Sequence, residues 1–512
     1  MGKQSGRTRR KELNRFKVER RRAQRELRQR RKAERLKPFD NTVALSNGKS
    51  EWETVEQEKE ARQETVEEQV KVFRSVLPTL LKRLARMRDP RNPKTIKHKL
   101  TVVMIYGLLT FVFQMASRRE ANRKMTRPMF LQNLRLLFPE VETLPHHDTL
   151  NRLLSDIDVE QIQQALIELV QHFIRQKKFC RYLVANCYPI AIDGTQKFTR
   201  QNCWAEECLE REFGDMTDEG KTKRQYYVYV LEASLAFANG MTIPLMSEFL
   251  SYEQGDQQEN KQDCELKAFK RLARRLKDCF PRLPIMVLLD GLYPNGPIIE
   301  LCRQHHWQFM IVLQDGSLPS VWEEVRGLGG LQPGNRQKQQ WGGRIQKFRW
   351  VNDIEYRYGK NDRKRQVVHV VICQEHWEEV DPASAEVASK TSRHVWISSE
   401  PLTRENVHER CNLGARHRWA IESNILVEKR HGYQYEHCFS YNWNAMKGYH
   451  YLMRLGHLIN ALVQKCARLV KLIRVGGLRG LISFLRETYA APWLDVERIQ
   501  LTLSSPHQLR LD

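Results

Sequence analysis

Three acidic residues stand in contexts that suit metal-assisted chemistry: Asp193 in YPIAIDGT, Asp290 in PIMVLLDGLY and Glu422 in RHRWAIESNILVEKR. Each aspartate closes a short apolar run that reads as a strand. The glutamate sits on a helix-like segment with Arg418 four residues before it and Lys429 seven residues after it, a spacing that puts both cations on its face. Carboxylates that end buried strands can converge at one sheet edge and hold hard cations such as Mg²⁺. Two such ions clamp the attacking and leaving oxygens of a phosphodiester. In both aspartate motifs the following glycine, Gly194 or Gly291, is expected to let a ligand approach the backbone. A surface salt-bridge ladder is the plainer reading of Arg418, Glu422 and Lys429; Trp419, Ile421, Ile425 and Leu426 argue that the helix is packed.

The elements that must position these residues follow from periodicity. From Tyr188 the pattern is strand-like: Tyr188–Ile192, then Tyr226–Ala236 and Met241–Phe249 joined through Asn239-Gly240. A charged amphipathic helix is expected near Lys261–Cys279, a fourth strand at Ile285–Leu289, a helix at about Ile298–His305 and a fifth strand at Gln308–Leu313. The order β-β-β-α-β-α-β is that of the RNase H-like core. Residues 321–400 break it with Gly327, Gly329, Gly330, Gly342 and Gly343 as turns, and with strand-like runs Ile345–Val351, Val367–Cys373 and His394–Ser398.

The predicted fold class is α/β: an RNase H-like mixed sheet with flanking helices, interrupted by a β-rich insertion and preceded by a helical region. The expected regions are a basic arm at 1–40, an acidic linker or charged helix at 41–71 and helices at 72–184, with DNA binding or plain structural support as their use. The first part of the core follows at 185–320, the insertion at 321–400, and the last core helix with a helical C-terminal region at 401–512.

Charge points to a polyanionic partner. The net charge is +24, and neutralising phosphates releases condensed counterions. Residues 1–37 hold 17 Lys or Arg against 4 Glu, a local surplus of 13. This arm is expected to be disordered, or a solvated helix that orders on a phosphate backbone. Leu100–Ala116 is the most apolar stretch. It is short for a membrane span and reads as a buried helix. The 11 cysteines have no disulfide rhythm, and no secretory signal is visible, so a reducing cytoplasm is expected. Cys180, Cys187, Cys203 and Cys208 lack the paired short spacings of a zinc site. The adjacent pairs His146-His147 and His305-His306 are expected to point apart and share no metal. No phosphate loop for a nucleotide is found.

Arg418-x₃-Glu422-x₆-Lys429 resembles the R-E-K part of the Y-x₂-R-x₃-E-x₆-K signature of DDE transposases from bacterial insertion sequences. DGT at Asp193 and DGLY at Asp290 resemble that family's first and second acidic motifs, and the likeness covers about residues 185–450. The signature's tyrosine position is held by Ala415, and Tyr433 and Tyr435 do not match it. The resemblance implies that Asp193, Asp290 and Glu422 bind two Mg²⁺ ions, with Mn²⁺ substituting, and that Arg418 and Lys429 hold DNA phosphates. It implies cleavage at insertion-sequence ends followed by strand transfer, with terminal inverted repeats and target DNA as partners. A homodimer on DNA, a place at the bacterial nucleoid and no membrane go with it. Trp341 and Trp350 could stack on an extruded base, or pack in the core. A nuclease without strand transfer and an inactive DNA-binding relative are the alternatives.

Overall fold

A computed structural model describes residues 6–33, 50, 52–213, 223–252, 262–466, 469–506 and 508–511. The chain divides into two compact units: Met1–Ala44 with Leu289–Ala415, and Leu45–Leu288 with Arg416–Asp512. The helical region, most of the expected core's first part and the C-terminal helices therefore fall in one unit.

In that second unit the interior is built on α12 (Trp443–Gln464), which is buried from Ala445 to Val463 but for Lys447. The Asn442 side chain caps its start by accepting the Ala445 N–H at 2.9 Å. Against it lies α3 (Leu100–Val112), apolar on all sides and buried at all but Thr101. A helix apolar all round needs protein or lipid around it; here α12 supplies the surroundings. Two glycines bring these helices together. A Cβ on Gly107 would lie 2.8 Å from Leu452 Cδ1, and one on Gly456 would lie 2.8 Å from Phe111 Cβ. Among the described residues no helix is long and apolar enough to cross a membrane.

Helices α2 (Val55–Leu84), α6 (His147–Asp156) and α7 (Glu160–Arg175) pack around α12. The acidic stretch expected as a linker or a charged helix is helical, the first half of α2, and burial begins at Arg62. Thr54 caps it, and Glu56 and Glu58 occupy its first turn, where acids suit the helix dipole. Residues 41–49 of that expected linker lie outside the described residues.

The sheet of this unit runs β3 (Lys223–Ala236), β1 (Tyr188–Arg200), β5 (Ile285–Leu289). Strands β2 (Leu209–Phe213) and β4 (Thr242–Phe249) share the far edge of β3. β1 and β5 are parallel, with Ala191 opposite Leu288 as their last matched pair; the other pairings are antiparallel. α8 (Glu265–Cys279) covers β4 with Ala268, Phe269, Leu272, Ala273 and Leu276 buried.

In the first unit β6 (Gln308–Val312), β10 (Val387–Ser398), β9 (Lys364–Val380), β8 (Arg344–Tyr358) and β7 (Arg336–Trp341) pair antiparallel in that order. The expected β-rich segment thus holds long strands, and it opens with a helix that the glycines had read as turns. This is α10 (Pro319–Leu331), which buries Val321, Trp322 and Val325. Proline at its first position favours the start. Gly329 is used for close packing, since a Cβ there would collide with the Arg349 guanidinium. α9 (Gly296–Gln304) packs on the same sheet, its start capped by Asn295.

The arm expected to be disordered, or a solvated helix, is a helix over Gly6–Ala33, α1. Arg and Glu four residues apart pair along it, Arg15 with Glu19 and Arg22 with Glu26. Its last turn meets β9, where Arg30 lies 3.3 Å from Glu378.

Candidate active site

Strand β1 does not end at Asp193. It continues to Arg200, because β3 pairs with it all the way: Asp193 stands opposite Glu232 and Arg200 opposite Tyr226, with a bulge between Gln196 and Phe198. Asp193 is therefore a mid-strand, half-buried acid. The glycine after it makes room for the protein itself. A Cβ on Gly194 would lie 2.4 Å from Glu265 Oε2 and 2.5 Å from the Tyr229 hydroxyl, and that hydroxyl donates to Glu265 at 2.7 Å. Gly291 has the same use: its Cβ would lie 2.5 Å from Gln314 Nε2. The expectation that both glycines leave space for a ligand is corrected on this ground.

Helix α11 (Trp419–Arg430) follows a π-helical turn at Glu409–Gly414 and a short 3₁₀ turn at Ala415–Arg418. It ends at Gly432, where φ is +104° and a Cβ would meet Gln114 Oε1 at 2.4 Å. Only glycine fits both conditions. Arg418 Nη2 lies 2.6 Å from Glu422 Oε1, as the four-residue spacing predicts. Arg418 is 5% exposed, and its Nε and Nη1 are buried with no hydrogen-bond partner among the described residues. Such groups are costly unless something binds them. Glu422, with a side chain 39% exposed, is open to solvent. Lys429 reaches the strand of Asp193: its Nζ donates to Gln196 O at 3.1 Å and lies 3.1 Å from Glu436. The packed face of α11 is narrower than expected. Ile421 and Ile425 are buried, whereas Trp419 is 57% and Leu426 is 43% exposed.

Beneath Asp193 and α11 lies a charged network that sequence reasoning missed. Glu428 of α11 and Glu232 of β3 are fully buried, with Arg454 of α12 between them. Arg454 donates to Glu428 at 2.8 and 3.0 Å and to Ser234 at 3.0 Å. His457 donates to Glu428. Glu232 accepts from the Tyr435 hydroxyl at 2.9 Å and from the Ser247 hydroxyl at 2.6 Å. Lys197, on the bulge of β1, donates to Tyr435 O at 2.8 Å. Burial raises the Glu232 carboxyl, but Arg454 and His450 outweigh it and hold it well below the carboxylate range. Burial likewise raises Glu428, and Arg454 and His457 bring it below its ordinary value. Burial lowers Lys197 to about 8, against the pull of Glu232 and Glu428. In sequence Glu428 stands beside Lys429 in a charged run, and nothing there marks it as buried.

Asp290 belongs to the first unit. Its Oδ1 accepts the Leu292 N–H at 2.8 Å, closing a turn directly after β5. Asp193 stands two residues past Ala191, the last residue of β1 matched with β5. Trp350, one of the two expected stacking residues, is 3% exposed on β8 opposite Val371 and belongs to the core. Trp341 ends β7, half-buried. The pair His146-His147 does not point apart: the rings stack with centroids 4.1 Å apart. With Asp148 they form, among the described residues, the one set of three His, Cys, Asp or Glu ligand atoms within 4.8 Å of one another. All three are held in the capping turn of α6, where His146 Nδ1 accepts the Asp148 N–H and His147 Nδ1 lies 2.9 Å from Asp148 Oδ1.

Residues 81–170 match the family described as DDE_Tnp_1-associated. The match spans α3, α6 and most of α7, and points to a DDE-type transposase family. No curated protein matches the chain.

Proposed function

We propose that this chain is a DNA transposase of the DDE type, with an RNase H-like core, that cuts DNA at the ends of an insertion sequence and joins them to target DNA. The observation that carries the reading is the pairing of α11 with β1. One helix holds Arg418 and Glu422 together and anchors Lys429 on the strand of Asp193. The match at residues 81–170 supports the family.

Asp193, Asp290 and Glu422 would hold two Mg²⁺ ions, with Mn²⁺ substituting. The fit is chemical: the donors are carboxylate oxygens, which suit hard cations. Bound there, the metal supplies Lewis-acid polarisation and lowers the pKa of a water. The chain's own residues bind and orient. Arg418, whose Nη2 holds Glu422, would bring its guanidinium charge to a DNA phosphate beside that acid. Lys429 adds a point charge on the same strand of DNA. Water displaces the 3′ oxygen at the element end as a 3′-OH. That hydroxyl then attacks a target phosphodiester and frees a target 3′-OH. No side chain bonds covalently to DNA. Joining two ends requires both at once, so the working form is a homodimer on terminal inverted repeats, in the cytoplasm at the nucleoid.

The test is Asp193→Ala with inverted-repeat DNA and Mg²⁺. Binding that persists while cutting disappears supports the reading; cutting at the wild-type rate overturns the role of Asp193.

A further inference from the structure

Strand β1 leads from Asp193 out to a graded stack of aromatic rings. Phe198 stacks on Trp204 with centroids 5.6 Å apart and planes at 27°. Trp204 meets Tyr441 edge-on at 6.0 Å and Trp443 at 5.9 Å. Phe198 is buried, Trp204 and Trp443 are half-buried, and Tyr441 is 61% exposed. Core packing accounts for the inner rings. It does not account for the outermost, a large ring left mostly in water beside Trp204.

Cations stand beside the stack. The exposed Arg200 guanidinium lies 5.5 Å from the Phe198 centroid and 6.0 Å from that of Tyr441. Among the described residues its hydrogen bond is to its neighbour's carbonyl, Thr199 O, at 2.9 Å, and involves no carboxylate. Lys197, Arg118 and Arg200 all bear on His437, whose protonation burial opposes first and these three cations oppose next. A π-face with an exposed guanidinium beside it suits a ligand that is itself flat and carried on an anionic backbone. Duplex DNA hides its base faces in its own stack; an unpaired strand offers them.

We propose that Tyr441, Trp204 and Arg200 form a stacking platform for unpaired nucleotides of single-stranded DNA. The identity of the nucleic acid rests on the proposed function; the platform adds a site to which neither the acids nor the family match refers.

The test is fluorescence anisotropy with a labelled oligothymidylate and, separately, a blunt hairpin duplex, at one fixed salt concentration. Tyr441→Ala is expected to weaken single-strand binding about tenfold, in line with loss of one stacked base, and to leave duplex binding within about twofold. Tyr441→Phe, which keeps the ring, is expected to bind as the wild type does. Tyr441→Ala binding the oligothymidylate as tightly as the wild type would overturn the platform, and so would an equal loss on the single strand and the duplex. Wild-type protein is assayed for cutting in parallel. A protein that shows the Tyr441 effect but neither cuts nor joins keeps the platform and loses the transposase reading. One that cuts, with Tyr441→Ala unchanged in binding, keeps the reading and loses the platform.

Discussion

Arg454 of α12 holds Glu428 of α11 by two hydrogen bonds, 2.8 and 3.0 Å long, with both side chains buried. The same guanidinium reaches Glu232 and Ser234 of β3. It is thus a strut that fixes the helix of Glu422 to the sheet of Asp193. Removing one partner of a buried pair strands the other charge, at a cost of about 3–5 kcal/mol. Arg454→Met is therefore expected to lower the urea unfolding midpoint by a corresponding amount. An unchanged midpoint would show that the strut contributes little to holding α11.

The acidic half of this network sets a second expectation. Glu232 and Glu428 titrate below their ordinary range in the folded chain. The unfolded chain therefore takes up protons first as pH falls, beginning near the ordinary glutamate value of about 4.3. Stability from these groups is present above that value and is lost as pH falls through the depressed folded values. His369 adds a window above it. Its Nδ1 accepts the Asp353 N–H at 3.1 Å, and burial holds it down to about 4 from 6.5. Between those values the unfolded chain binds a proton that the folded chain refuses, so stability falls as pH drops from 6.5 to 4. The full effect is about 3 kcal/mol. His369→Gln should flatten the stability profile in that window; an unaltered slope would place the titration elsewhere.

Gly194 is expected to resist substitution. A Cβ there would collide with both Glu265 and Tyr229, and forcing room in a packed site costs about 1–3 kcal/mol. Gly194→Ala should lower thermal stability and displace Asp193, whereas Gly240→Ala, with nothing near its Cβ but φ at +79°, should cost only backbone strain. Equal stability of Gly194→Ala and the wild type in a thermal melt would contradict the crowding.

Arg418→Lys tests the use of the buried guanidinium. Lysine keeps the charge but has no planar fork. Cleavage is expected to fall about 10²-fold, as for loss of one positioned donor at a reacting centre, with duplex binding nearly retained. Cleavage at the wild-type rate would mean that the Arg418 guanidinium has no part in holding Glu422 or the phosphate.

The parts of this molecule legible in sequence are those set by local spacing. Arg418 and Glu422 meet because four residues make one helical turn, and β5 has the predicted bounds, Ile285–Leu289. The apolar run at Leu100 is a buried helix. What sequence hid depends on distant partners. β1 runs past Asp193 because β3, about forty residues on, supplies hydrogen bonds to polar positions such as Thr195 and Gln196. Glu428 reads as a surface charge until Arg454, a full helix later, is folded against it. Glycines at 327, 329 and 330 signal turns locally, yet packing on β8 draws them into α10. Trp419 and Leu426, which read as a packed face, remain outside.

The central claim is tested most directly by cleavage and joining of DNA that carries the inverted repeats flanking the coding region, in Mg²⁺, with wild type beside Glu422→Gln. Free 3′-OH ends and joined products that depend on Mg²⁺, stop on chelation and vanish in Glu422→Gln while DNA binding persists are the predicted result. Wild-type protein that binds paired ends in Mg²⁺ without cutting them, or Glu422→Gln that cuts and joins as the wild type does, would contradict it.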